Sequence, residues 1–150
     1  MSIAFPTLLR ILVAAFALLA GAAWAQQYVS ITAREANMRS GPGTQHAVQW
    51  SLSRGYPLQV MARRGEWLQV RDHENDSGWV HRSLTGRSTH KVVRVPVANL
   101  RAQPRANARL QGKLEHGEIV QRLARRDGWV QVQREGGQRG WVSSRLLWGG

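Results

Sequence analysis

Five histidines, nine carboxylate side chains and no cysteine bound the chemistry open to this 150-residue chain. The histidines stand at 46, 73, 81, 90 and 116 and show no close metal-ligand pairing in sequence. His73-Glu74-Asn75-Asp76-Ser77 lacks the second histidine of a zinc-binding HExxH helix. Asp72, Glu74 and Asp76 alternate as calcium ligands do, but glycine comes one place late and Ser83 holds the closing glutamate position. A solvated hairpin turn is the expectation there. Composition excludes a cysteine nucleophile, and serine, histidine and aspartate occur without a GxSxG elbow or a GxxxxGK phosphate loop. The sequence therefore shows no catalytic constellation, no metal site and no cofactor motif. Binding is the function it leaves.

The elements that would position a binding site come as a duplication. Ala36 to Gly43 (ANMRSGPG) returns as Ala98 to Arg105 (ANLRAQPR), and the halves align without a gap at a constant offset of 62 residues. Trp67 then falls on Trp129, Gly78-Trp79-Val80 on Gly140-Trp141-Val142, and Leu84 on Leu146. Only two copies occur, so each is expected to fold as its own domain, not as one layer of a stack.

Within the first copy, Tyr28 to Ala33, Val48 to Leu52, Leu58 to Ala62, Trp67 to Arg71 and Gly78 to His81 read as short strands. Glycine, asparagine and aspartate clusters divide them, and Ala36 to Thr44 reads as a turn-rich loop. Lys91 to Val97 opens the second copy as a strand, with Pro96 marking an edge or an end. Five or so short strands in each copy, without helical periodicity, predict an all-β fold of two small antiparallel barrels. The expected division is residues 26–85 and 91–150, joined by a polar linker at 86–90.

Asn37 to Thr44 (NMRSGPGT), Gly65 to Val70 (GEWLQV) and Gly78-Trp79-Val80 together resemble the bacterial SH3 (SH3b-like) domain. The second copy matches through Asn99-Leu100-Arg101, Gly128-Trp129-Val130 and Gly140-Trp141-Val142. The resemblance implies two tandem SH3-like β-barrels and a non-catalytic role in targeting cell wall or binding peptide and protein ligands. Gly78 to Leu84 also looks like the segment of eukaryotic SH3 domains that lines a polyproline groove. His81 and Ser143 stand where its proline would be, and Leu84 and Leu146 where its tyrosine would be. That argues against polyproline recognition and leaves room for an aromatic-lined shallow site.

Strict alternation puts Leu68, Val70, Val80, Val130 and Val132 on one face of their strands, and Trp67, Trp79, His81, Trp129 and Trp141 on the other. The tryptophans shared by both copies fit either scaffold packing or a ligand platform. Trp67→Ala separates the two, costing roughly 3–5 kcal/mol at a fully buried site and little on a surface. Trp50 and Trp148 have no repeat partner, since Gly112 and Gly86 stand opposite them. Trp148 is expected to pack between the domains, and Trp50, with Arg39 and Tyr56 on neighbouring loops, to offer a binding surface. The candidate ligand-binding residues are thus Arg39, Trp50, Tyr56, Trp67, Trp79, His81, Trp129 and Trp141. Arg39 and Arg101, fixed in the Asn-x-Arg motif of each copy, are also suited to bracing the loop.

Ile11 to Ala25 is a run of small and apolar residues closing on Ala23-Trp24-Ala25, which reads as a signal peptide cleaved after Ala25. It is shorter than the roughly 20 residues of a membrane-spanning helix, although an uncleaved anchor is the alternative. Removing Arg10 with the signal leaves +11 of the formal +12 charge, nearly all of it arginine. The expected protein is periplasmic or secreted, without a transmembrane segment. Its expected partner is cell-wall peptide or an envelope protein, and its two sites could act together through avidity. Two alternatives stand beside this: a charge-driven binder of anionic polymers, with nucleic acid disfavoured outside the cytoplasm, and a structural assembly accessory.

Overall fold

The computed structural model describes residues 27–150, so the expected signal peptide lies outside the described residues. The first repeat forms β1 (Gln27–Ile31), β2 (Glu35–Arg39), β3 (Val48–Ser53), β4 (Pro57–Arg64), β5 (Trp67–Arg71), β6 (Ser77–His81) and β7 (Thr85–Arg87). The second forms β8 (His90–Val93), β9 (Val97–Arg101), β10 (Leu110–Glu115), β11 (Ile119–Arg126), β12 (Trp129–Gln133), β13 (Arg139–Ser143) and β14 (Leu147–Trp148). A single 3-10 turn precedes the last strand of each repeat, Arg82–Leu84 and Ser144–Leu146. Among the described residues there is no α-helix.

Each repeat builds one antiparallel sheet, in the orders β3-β2-β6-β5-β4-β1-β7 and β10-β9-β13-β12-β11-β8-β14. The ladders of the described residues leave both sheets open, where closed barrels were expected. The strands that would complete closure are stubs: β7 has three residues and β14 two. The joins β2–β6 and β9–β13 rest on one residue pair each, Arg39↔Trp79 and Trp141↔Arg101.

Two other expectations shift. The loop anticipated from Ala36 begins only after Arg39, because Ala36 and Met38 are buried and hold β2 in the sheet. The stretch 86–90 is largely strand: Gly86 pairs with Ser30, and His90 opens β8.

Period-two burial sorts the side chains. Leu68, Val70 and Val80 enter the first core beside Ile31, Met38 and Leu58, while Trp67, Trp79 and His81 stay half-buried on the opposite face. Val130, Val132 and Val142 do the same beside Leu100, Leu114 and Val120. The tight hairpin between β11 and β12 turns on Asp127 and Gly128, both at positive φ (46° and 81°), as a primed turn demands. At the junction of the repeats, the Trp148 ring meets Tyr28 of β1 edge-on at 5.3 Å, and its centroid lies 6.4 Å from that of His73.

The glycine of each Gly-Trp-Val motif has a steric cause. A Cβ on Gly140 would lie 2.7 Å from Leu100, which is fully buried and has no room to yield. Gly140→Ala should therefore lower stability by about 1–3 kcal/mol through overpacking. A fall in the urea midpoint with an unchanged slope would register it.

Candidate functional site

The first repeat has a cleft of about 420 Å³ where β2, β5, β6 and the 3-10 turn come together. Glu35, Ala36, Asn37 and Arg39 line it from β2, Thr44 from the following loop, Trp67 from β5, His81 from β6, and Ser83 and Leu84 from the turn. Trp67 and His81 stand directly opposite each other in the β5–β6 ladder, and their rings meet edge-on at 5.2 Å. Antiparallel pairing thus fixes this aromatic wall, and the pair gains from the quadrupole contact as well as from area.

His81 also caps the turn. The Ser83 backbone N–H donates to His81 Nδ1 at 3.3 Å, and Ser83 Oγ lies 2.7 Å from the same nitrogen. An N–H can only donate, so Nδ1 is the acceptor and the neutral ring carries its proton on Nε2. Glu35 accepts a hydrogen bond from Ser51 on β3. The cleft thus offers one indole, the aliphatic end of Leu84, a carboxylate and an imidazole N–H.

Arg39 bounds the cleft and holds its loop: one guanidinium nitrogen donates to the carbonyls of Thr44 (3.1 Å) and His46 (3.0 Å). Arg101 repeats the brace in the second copy, donating to Ala108 O at 3.0 Å. The remaining candidates lie elsewhere. Trp79 sits under the guanidinium of Arg64 at 5.6 Å and Trp141 under that of Arg126 at 6.0 Å, equivalent cation–π pairs outside the cleft. Trp50 is half exposed on the edge strand β3, opposite Met38. Tyr56 packs against the core, and its hydroxyl reaches Asp72 Oδ2 at 3.5 Å. Arg39, Trp50 and Tyr56 therefore do not share one loop surface, because Trp50 is on a strand and Tyr56 is drawn to the β5–β6 turn.

The second copy keeps Ala98, Asn99, Arg101, Trp129 and Leu146 at the equivalent positions but has Val97, Ala106, Ser143 and Arg145 for Glu35, Thr44, His81 and Ser83. Trp129 lines a different hollow, of about 650 Å³, with Tyr28, Lys91, Arg125, Arg126 and the C-terminal glycines. Sequence reading picked out Arg39, Trp67 and His81 but missed Glu35, Asn37, Thr44, Ser83 and Leu84 as cleft residues. The available signal was divergence: three of the polar ones, Glu35, Thr44 and Ser83, change between otherwise matching copies.

With this geometry in hand, the family is plain. The chain belongs to the bacterial SH3 domains and carries two in tandem, residues 32–86 matching one family model of that description and residues 96–147 another. It is 25% identical over 137 residues to the protein provisionally named N-acetylmuramoyl-L-alanine amidase YrvJ of Bacillus subtilis (strain 168). That match takes in 84% of this chain but only 26% of the relative. Solved structures similar to it include NlpC2 from Trichomonas vaginalis, with 15% identity, 83% of this chain, 48% of that one and a TM-score of 0.38. Another is an NlpC/P60 family protein from Bacillus cereus ATCC 10987, with 12% identity, 81% and 56% coverage and a TM-score of 0.39. No helix among the described residues is long and apolar enough to cross a membrane.

The basic side of the junction makes stability depend on pH. Lys91 is buried, its ammonium donating to Gly149 O at 2.7 Å. Burial first, then Arg125 and Arg122, bring its pKa from the ordinary 10.5 down to about 8. Between pH 8 and 10 the unfolded chain then holds more protons than the folded one, so stability rises with pH. Above 10 Tyr56 acts in the opposite sense, because burial, and then Asp72 and its acidic neighbours, hold its proton on in the folded state. Urea midpoints should climb between pH 8 and 10, and the climb should vanish in Lys91→Met.

Proposed function

We propose that this protein is an exported, non-catalytic binder whose tandem SH3-like domains serve to recognise cell-wall peptide or an envelope protein, acting in the periplasm or outside the cell. The observation that carries this reading is the cleft of the first repeat. Its indole wall and Leu84 suit the apolar part of a peptide, Asn37 and the His81 imidazole suit amide groups, and Glu35 suits an ammonium. Two further findings support it: the family itself, and a relative provisionally named N-acetylmuramoyl-L-alanine amidase. In this reading Trp148 serves packing between the repeats, and recognition belongs to one cleft, since the second copy has Val97, Ala106, Ser143 and Arg145 in place of Glu35, Thr44, His81 and Ser83.

A second reading has its own observation. Lys91, Arg122 and Arg125 lie close enough that the arginines weaken the proton affinity of Lys91, which marks a positive field suited to anionic polymers. Ionic strength separates the two, because exposed charges are screened by salt and a packed aromatic contact is not.

Sedimentation with purified peptidoglycan across a salt series tests the reading. Binding should survive high salt, weaken about tenfold or more in Trp67→Ala, as the loss of about 1.4 kcal/mol implies, and stay unchanged in Trp50→Ala. Binding that fades with salt and ignores Trp67→Ala would leave charge alone as the cause.

A further inference from the structure

The turn between β5 and β6 and the turn between β10 and β11 come from different repeats and meet at the junction. They bring His73, Glu74 and His116 together. The two imidazole centroids are 5.7 Å apart. Glu74 Oε1 lies 3.6 Å from His73 Nε2 and 4.0 Å from His116 Nε2, and the three ligand atoms all fall within 4.8 Å of one another. The sequence showed no pairing of these histidines because it exists only once the repeats dock.

His73 is the second, independent sign. Its side chain is only 7% exposed, and neither ring nitrogen has a hydrogen-bond partner. A buried polar group left so is costly, and an ion at Nε2 would satisfy one of the two nitrogens. We propose that His73, Glu74 and His116 form a site for Zn²⁺, or another late first-row divalent ion, that clamps the two repeats together.

Two imidazoles and one carboxylate are the donor set of such ions; Ca²⁺ and Mg²⁺ take oxygen. Bonds of about 2.0–2.1 Å in a tetrahedron put neighbouring ligand atoms roughly 3.4 Å apart. The observed 3.6 and 4.0 Å, with the third pair within 4.8 Å, require the ligands to close by up to about 1.4 Å, and Glu74 (56% exposed) and His116 (46%) have the freedom to make it. The fourth position would be left to water or to a group on a ligand.

The shell behind the site is already fixed. Asp72, itself buried, accepts from the backbone N–H of Glu74 at 3.0 Å and of Asp76 at 2.9 Å, which holds the turn that carries two of the three ligands. Tyr56 and Trp148 cover His73, their ring centroids 6.3 and 6.4 Å from its own. The site is not a product of the duplication, because Glu135, Gly136 and Arg54 occupy the positions equivalent to His73, Glu74 and His116.

The test uses untagged protein stripped with a chelator and titrated with Zn²⁺ by calorimetry and with Co²⁺ by visible absorption. One equivalent should bind, Zn²⁺ should displace the Co²⁺ bands, and Zn²⁺ should raise the melting temperature. His73 is buried and its replacement endangers the fold, so His116→Ala and Glu74→Gln carry the test. Each should bind at least about tenfold more weakly, since even a change outside the ligand set costs that much, and each should lose the Zn²⁺-dependent rise in melting temperature while melting normally without metal. Wild-type protein that takes up no stoichiometric Zn²⁺ would overturn the site. So would equal affinity in both variants, which would place the ion on His46, His81 or His90.

Discussion

Everything on the first repeat's surface depends on the register of β5 against β6. Pairing Trp67 with His81 and Val70 with Gly78 sends Leu68, Val70 and Val80 into the core and leaves Trp67, Trp79 and His81 outside it. A one-residue slip of β6 would bury Trp79 and His81 and expose Val80, and a slip of β5 would bury Trp67 and expose Leu68 and Val70. Glycine at 78 lets β6 lie close over β2, where a Cβ would come within 3.0 Å of Arg39 O. The core-forming constraint and the site-forming constraint are therefore one. With no cysteine in the chain, nothing covalent reinforces it.

Duplication explains what the two halves share, and divergence explains what they do. Many of the shared residues are structural by their contacts: Arg39 and Arg101 brace loops, Arg64–Trp79 and Arg126–Trp141 stack, and the valines fill two separate cores. The ionisable groups with chemistry to offer lie where the copies differ. Glu35, His81 and Ser83 belong to the cleft, and His73, Glu74 and His116 to the junction. The first repeat carries the carboxylate and imidazole of the cleft, and the second supplies His116, Trp148 and the basic cluster around Lys91.

Much of the fold was legible because two signals agreed. Alternation gave strand and face for Leu68, Val70 and Val80, and the repeat gave the same answer for Val130 and Val132. β2 was hidden, because Asn37 and the glycines after it read as turn chemistry while Ala36 and Met38 are core residues. The openness of the sheets was hidden as well, because it follows from how short β7 and β14 are. In the cleft, Trp67, His81 and Arg39 stood out by type, but Glu35 and Thr44 meet them only through pairing across the sheet and the return of a loop. The histidine pair was beyond reach, since 43 residues separate His73 from His116 and only the docked repeats join them.

A ligand held in the cleft between Trp67 and His81 would sit against the Trp67 indole and away from Trp50 and Trp129. The most direct measurement is an NMR titration of the tryptophan indole N–H signals with a soluble muramoyl-peptide fragment of peptidoglycan. The Trp67 signal should shift saturably while those of Trp50 and Trp129 hold still, and His81→Ala should weaken the response. Shifts centred on Trp129 or Trp50, with Trp67 unmoved, would contradict binding in that cleft.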